Sequence, residues 1–136
     1  MEWHELAPQL TGYAHIATVR PDGRPHVAKV APAVEDETIW IGTNASSTKA
    51  RNVATIPKAA LMFEPVSEIY LSADVEVVTD LATKQRLWDS GIFPYSMDAF
   101  FGSPDNDDFV LLRLSPTEAT VISQGEAGLR RDTWHA

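Results

Sequence analysis

Residues 67–78 run Ser-Glu-Ile-Tyr-Leu-Ser-Ala-Asp-Val-Glu-Val-Val, with Ile69, Leu71, Ala73, Val75 and Val77 on one side and Tyr70, Ser72, Asp74 and Glu76 on the other. Successive side chains of a strand point to opposite faces, so this alternation marks a long antiparallel strand with one buried face. Further strands are spread along the chain. Ala14 to Arg20 reads as one, and Arg20 to Arg24 is a turn with Pro21 and Gly23 where a tight reversal wants them. A second strand is expected from Pro25 to about Glu35, and a third over Thr38 to Thr43 after the acidic turn Glu35-Asp36-Glu37, so that the first three form a meander. Lys58 to Phe63 reads as a short apolar strand, and Phe109 to Leu114 and Ala119 to Ser123 supply the last two.

Helical spacing is confined to short pieces. Residues 2–10 place Trp3, Leu6, Ala7 and Leu10 on one face. Residues 47–55 place Ala50, Val53 and Ala54 together, and Pro57 closes that helix because proline cannot continue it. Asp80 caps a helix through Trp88 that carries Leu81, Gln85 and Trp88 on one stripe, and residues 89–108 read as irregular. Six or seven strands, mostly hairpin-connected, with two or three short helices indicate a mainly β fold, an antiparallel barrel rather than a doubly wound sheet.

At 136 residues the chain is the size of one domain, and we find no repeat or linker that divides residues 1–136. The absence of cysteine excludes disulfides, thiolate metal sites and cysteine nucleophiles. The start lacks a basic and apolar leader pattern and no run approaches a membrane span, so a cytoplasmic protein without a membrane partner is expected. Net charge is −8, unevenly spread: residues 1–64 hold 6 basic and 7 acidic side chains, residues 65–136 hold 5 and 12. Nucleic acid is an unexpected partner for such a chain, since binding a polyanion needs a basic field, whereas a small anion held by local donors is compatible with it.

The segment Thr43 to Pro57 offers such donors. It joins the third strand to a helix whose start carries Ser46, Ser47 and Thr48, with Lys49 and Arg51 adjoining. Free N–H groups and the positive dipole end at a helix start favour an anion, and hydroxyls can cap it. The competing description is an ordinary capped helix with solvated cations. A P-loop is rejected because Ser47 stands where the second glycine belongs and the lysine comes one place late. His4, His15, His26 and His135 show no metal-ligand spacing, Asp105-Asn106-Asp107-Asp108 lacks the glycine and distant glutamate of an EF-hand loop, and no Gly-x-Ser-x-Gly elbow is present. Trp40 reads as core. Trp88 precedes a stretch holding Phe93, Tyr95, Phe100 and Phe101, which can cover a planar ligand, pack in a dimer or form a satellite cluster under a long loop.

Asp22-Gly23-Arg24-Pro25-His26-Val27, Thr38-Ile39-Trp40-Ile41-Gly42-Thr43, Ser46-Ser47-Thr48-Lys49-Ala50-Arg51-Asn52-Val53 and Pro57-Lys58-Ala59-Ala60-Leu61-Met62-Phe63, in this order, resemble the FMN-binding split barrel of pyridoxamine 5′-phosphate oxidase relatives over residues 12–123. Lys84-Gln85-Arg86-Leu87-Trp88, Gly102-Ser103-Pro104-Asp105 and Phe109-Val110-Leu111-Leu112-Arg113 are similar to the general stress protein 26 branch. The resemblance implies a six- to seven-stranded split barrel, a homodimer, and FMN at the subunit interface, with FAD or a deazaflavin as alternatives. It assigns the phosphate to Ser47, Thr48 and Lys49, places Thr43 and Asn44 near the ribityl chain or phosphate, and sets Val27, Ala28, Lys29 and Val30 beside the flavin ring, with Trp88 a further cofactor contact. Thr48 stands where the relatives carry a cation, a loss for Arg51 or Lys29 to compensate. No segment matches the C-terminal substrate-binding part of the true oxidases, so vitamin B6 oxidation is not expected. The function implied is a flavin-dependent oxidoreductase acting on a small molecule; the alternative is a non-catalytic stress protein that binds or senses a flavin, a deazaflavin or haem.

Overall fold

A computed structural model describes residues 1–64 and 66–136. The chain opens with helix α1 (Trp3–Leu6), which runs into a 3₁₀ turn at Ala7–Gln9. Eight strands then form one antiparallel sheet: β1 (Ala14–Val19), β2 (Pro25–Val30), β3 (Ala33–Glu35), β4 (Thr38–Asn44), β5 (Lys58–Phe63), β6 (Glu68–Val78), β7 (Phe109–Gly125) and β8 (Gly128–His135). Helix α2 (Thr48–Thr55) joins β4 to β5, and α3 (Leu81–Ser90) and α4 (Met97–Phe101) lie between β6 and β7. No helix among the described residues is long and apolar enough to cross a membrane.

The sheet order is β2-β1-β5-β6-β7-β4-β3, with β8 added to β7. The stretch expected as a single second strand is therefore two. Pro32 has no N–H to donate to a ladder, and the chain leaves β2 at one edge of the sheet to begin β3 at the other. Since only residues 31 and 32 separate these edges, the sheet must curl into a barrel. The first strands thus pair as β1 with β2 and β3 with β4, rather than as one meander.

β7 is one continuous strand of 17 residues where two were expected. Ser72 pairs with Glu118 and Ala73 with Pro116, so Thr117 is an extra residue in a bulge, and its hydroxyl donates to the Ser72 carbonyl at 3.2 Å. The bulge absorbs Ser115-Pro116-Thr117, the polar interruption that separates the two apolar runs in the sequence. β8 adds a strand beyond those read from periodicity. Its Arg130, Arg131 and Asp132 give it the charged character of an edge, and its buried Trp134 packs on the Trp3 ring at 5.0 Å.

Two cores follow from which faces are covered. The barrel interior contains Ile16, Ile41, Leu61, Phe63, Ile69 and Leu71, all at most 2% exposed, which confirms the inward face read from the β6 alternation. Burying each such side chain contributes about 1.5–3 kcal/mol. A second cluster, with Trp40, Val78, Leu87, Phe93, Met97, Phe109 and Leu111, lies under α3 and α4 on the other face of β4 and β7. Ile39, Trp40 and Ile41 are accordingly all buried in succession, as are Phe109 through Leu112. The inner stripe of α3 is Lys84 and Leu87, not the expected line through Leu81 and Gln85, both of which are exposed.

Candidate functional site

Lys29 and Lys49 reach one cleft from two separate elements. The cleft encloses about 480 Å³ beside Lys29, Val30 and Ala31 at the end of β2, and Gly42 of β4 and Lys49 of α2 form its floor. Tyr13 lines it from the chain ahead of β1, while Tyr95, Phe100 and Phe101 close it from the segment between β6 and β7. A volume of this size suits a cofactor-sized ligand. Among the described residues no acidic side chain lines the cleft. Neither lysine has a carboxylate at salt-bridge distance among the described residues. The Lys29 ammonium stands 4.4 Å above the Tyr13 ring, and Lys49 is half-buried, so that desolvation pulls its pKa below the ordinary lysine value. Two cations without carboxylate partners among the described residues, against aromatic walls, match the chemistry of an anionic, planar molecule.

The loop that delivers Lys49 is held from both sides. Ser47 is the N-cap of α2: its Oγ accepts the Ala50 N–H at 3.3 Å and lies 3.2 Å from the hydroxyl of buried Thr43. Ser46 turns the other way and donates its N–H and its hydroxyl to the Asp108 carboxylate, each at 3.0 Å. In the first turn, the Thr48 and Lys49 N–H groups have no intramolecular acceptor among the described residues, as expected of orphan helix-start donors. The buried face of α2 is Ala50, Asn52 and Val53, and Ala54 faces solvent instead. Asn52 replaces it because its amide donates to Thr18 of β1 at 3.0 Å in the interior.

Gly42 has a role that strand propensity conceals. A Cβ there would stand 2.9 Å from the Tyr95 hydroxyl and 3.4 Å from the Phe109 ring. The glycine therefore admits Tyr95 against the cleft floor. Burial pushes the Tyr95 phenol up to about 12, so it stays protonated and neutral at physiological pH.

The cleft brings together some of the residues singled out in the sequence. Lys29, Val30 and Lys49 line it, and Ser47 with Thr43 shapes its loop. Ala28 packs against the barrel core and Val27 points outward, 65% exposed. Asn44 is exposed, and its carbonyl accepts the Ser47 N–H. Thr48 is half-buried. Arg51 is exposed and is not among the cleft residues, so the second cation of the cleft is Lys29. Trp88 lies outside the cleft, edge-on to Phe109 at 5.5 Å, in an adjoining hollow of about 240 Å³ whose wall is shared through Tyr95. Tyr13, Gly42 and Asp108 carry no sequence signal for this site. Their roles arise from β1, β4 and β7 meeting in space.

The family model described as pyridoxamine 5′-phosphate oxidase matches residues 5–123. No curated protein is matched. Among solved structures, general stress protein 26 from Bacillus anthracis str. Sterne superposes with TM-score 0.75 at 17% identity, covering 98% of this chain and 97% of that one. A pyridoxamine 5′-phosphate oxidase-related, FMN binding protein from Nostoc punctiforme gives 0.69 at 22% identity, with 90% and 80% covered. An F420 reductase gives 0.61 at 28% identity, with 79% and 87% covered.

Proposed function

The chain belongs to the pyridoxamine 5′-phosphate oxidase family, and from that premise we propose that its cleft binds FMN, with the phosphate at Lys49 and the first turn of α2 and the flavin ring along Lys29 and Val30. The observation that carries this reading is the pair of lysines without carboxylate partners in an aromatic-walled cleft. In a chain of net charge −8 such a pair is not explained by general basicity. Charge-assisted hydrogen bonds to a phosphate contribute about 1.5–3 kcal/mol each. Lys29 adds a second cation on the ring side of the same cleft.

Bound flavin supplies a reversible acceptor of hydride or electrons. The protein's own contribution is binding and exclusion of water. Lys49 and Lys29 neutralise the ligand's charge, Tyr95 presents a neutral hydroxyl, and Phe100 and Phe101 shield the ring. The activity we assign is that of a flavin-dependent oxidoreductase with a small-molecule substrate. Tyr13 and Phe100, respectively 65% and 68% exposed, put apolar surface at the cleft, and this supports a homodimer in which a second copy covers it.

A deazaflavin is the second reading, favoured by the 28% identity to the F420 reductase. Titration of the purified protein with FMN and with F420 tests both. Saturable FMN binding, followed by rapid bleaching on addition of NADH or NADPH and reoxidation by an acceptor, is the expected result. Binding of F420 alone selects the second reading, and failure to bind either refutes both.

A further inference from the structure

The turn at residues 106–109 is bonded to both walls of the cleft. On one side, the Asp108 carboxylate accepts from the Ser46 N–H and hydroxyl at 3.0 Å, and the Asp108 carbonyl accepts the Ala45 N–H at 2.7 Å. These bonds fix the segment that leads directly into Lys49. On the other side, the Asn106 amide donates to the carbonyl of Phe101, a cleft-lining residue, at 2.8 Å. The turn itself is pinned from beneath. The Lys84 ammonium, 4% exposed, donates to the Phe109 carbonyl at 2.9 Å and the Asn106 carbonyl at 3.2 Å, and the Asp108 N–H donates to the Asn106 Oδ1 at 3.0 Å.

We infer that Asp108 is a positioning residue for the cleft: it sets where Lys49 stands relative to the aromatic wall, and so determines how strongly the protein distinguishes a phosphorylated ligand from the same ligand without its phosphate. The inference rests on the FMN reading and adds to it a residue that touches no ligand. Two features make Asp108 suited to this. Its three bonds to residues 45 and 46 span 62 or 63 positions of chain, so they carry the β4–β7 pairing, which ends at Asn44 and Phe109, on into the loop. Its carboxylate already takes the Ser46 donors, which leaves Lys49 and the free N–H groups at Thr48 and Lys49 for the ligand.

The test compares dissociation constants for FMN and riboflavin in the full chain, read by flavin fluorescence well below the unfolding temperature. Asp108→Ala is expected to weaken FMN binding roughly tenfold, the equivalent of losing one hydrogen-bonded contact of about 1.4 kcal/mol, and to leave riboflavin within about twofold. Asp108→Asn, which retains an acceptor for Ser46, is expected to recover most of the FMN affinity. A merely structural role would lower both affinities together, and this outcome, or an unchanged FMN affinity, overturns the inference. Lys49→Ala separates the two levels. If it abolishes the preference for FMN while Asp108→Ala does not, the positioning inference falls and the FMN site stands; if neither flavin binds the unmodified protein, both fall.

Discussion

Asn52 and Thr18 form a buried polar contact between α2 and β1, and the consequence of breaking it can be worked out. The Asn52 amide donates to the Thr18 hydroxyl at 3.0 Å, and the two residues are 4% and 1% exposed. Thr18→Val keeps the branched shape and removes the acceptor, which strands a buried N–H at a cost of about 1–3 kcal/mol. For a domain of this size each kcal/mol lowers the midpoint by roughly 4 °C, so a fall of about 4–12 °C is expected. Thermal unfolding followed by tryptophan fluorescence measures the fall, and in urea an unchanged slope with a lower midpoint identifies a loss of stability without a change in the denatured state's compactness. Replacing both partners by apolar groups of like shape is far less damaging than orphaning one. Thr18→Val with Asn52→Leu should accordingly lie closer to the parent protein than Thr18→Val alone. A single variant within about 0.5 kcal/mol of the parent, or a double variant no more stable than Thr18→Val, would refute the reasoning.

Lys49→Met should raise the urea midpoint of the ligand-free protein at neutral pH while weakening FMN binding. Its folded pKa lies below the unfolded value, so the unfolded chain holds more protons in the window beneath the ordinary lysine pKa and stability climbs with pH there; the variant should flatten that climb, and a lowered midpoint would contradict it. Gly42→Ala drives a methyl group against the Tyr95 hydroxyl and should loosen flavin binding, with Gly42→Ala/Tyr95→Phe regaining affinity because the clashing oxygen is gone; titration of both variants checks this, and no recovery would sink it. Glu35 accepts a forked pair of bonds from Arg86 at 2.9 and 3.2 Å, which holds its carboxyl below the ordinary value. The stability this provides is present above the ordinary glutamate pKa and is lost as pH falls through the lower folded value, so Glu35→Gln should flatten the acid side of a stability profile and leave it unaltered if the pair is inert.

The parts of the fold that were legible in the sequence are those where one face is wet and the other dry. β6 declared its inward residues through simple alternation, and Ser47 declared a cap through its type and place. At Phe109 to Leu112 the strand was legible but its facing was not, because both faces are covered, and periodicity is silent where partnership depends on distant chain. Nothing local tells that Pro32 separates the two edges of a sheet, or that Thr117 bulges so that β7 need not end. The site shows the same division. Lys49 and Lys29 carry charge that a reader can see, while Gly42 looks like a weak strand residue until Tyr95 is placed against it. Asp108 sits in an acidic turn that resembles any solvated loop, and only the β4 to β7 pairing, with Asn44 opposite Phe109, brings it to Ser46. Asn52 was hidden because an amide on a helix is usually solvent-facing.

The pairing of Val78 with Leu111 has an evolutionary consequence. The stretch from residue 91 to residue 105, including Tyr95, Phe100 and Phe101, lies between α3 and the 106–109 turn, which are tied to the barrel through Lys84 and Asp108 beside two strands already paired. Loop closure depends only weakly on length, so this excursion can be lengthened, shortened or exchanged while the barrel beneath it persists. The aromatic wall of the cleft is therefore a replaceable cassette, whereas Lys29 and Lys49 belong to the permanent frame. A lineage built this way can reshape that wall without disturbing the two cations.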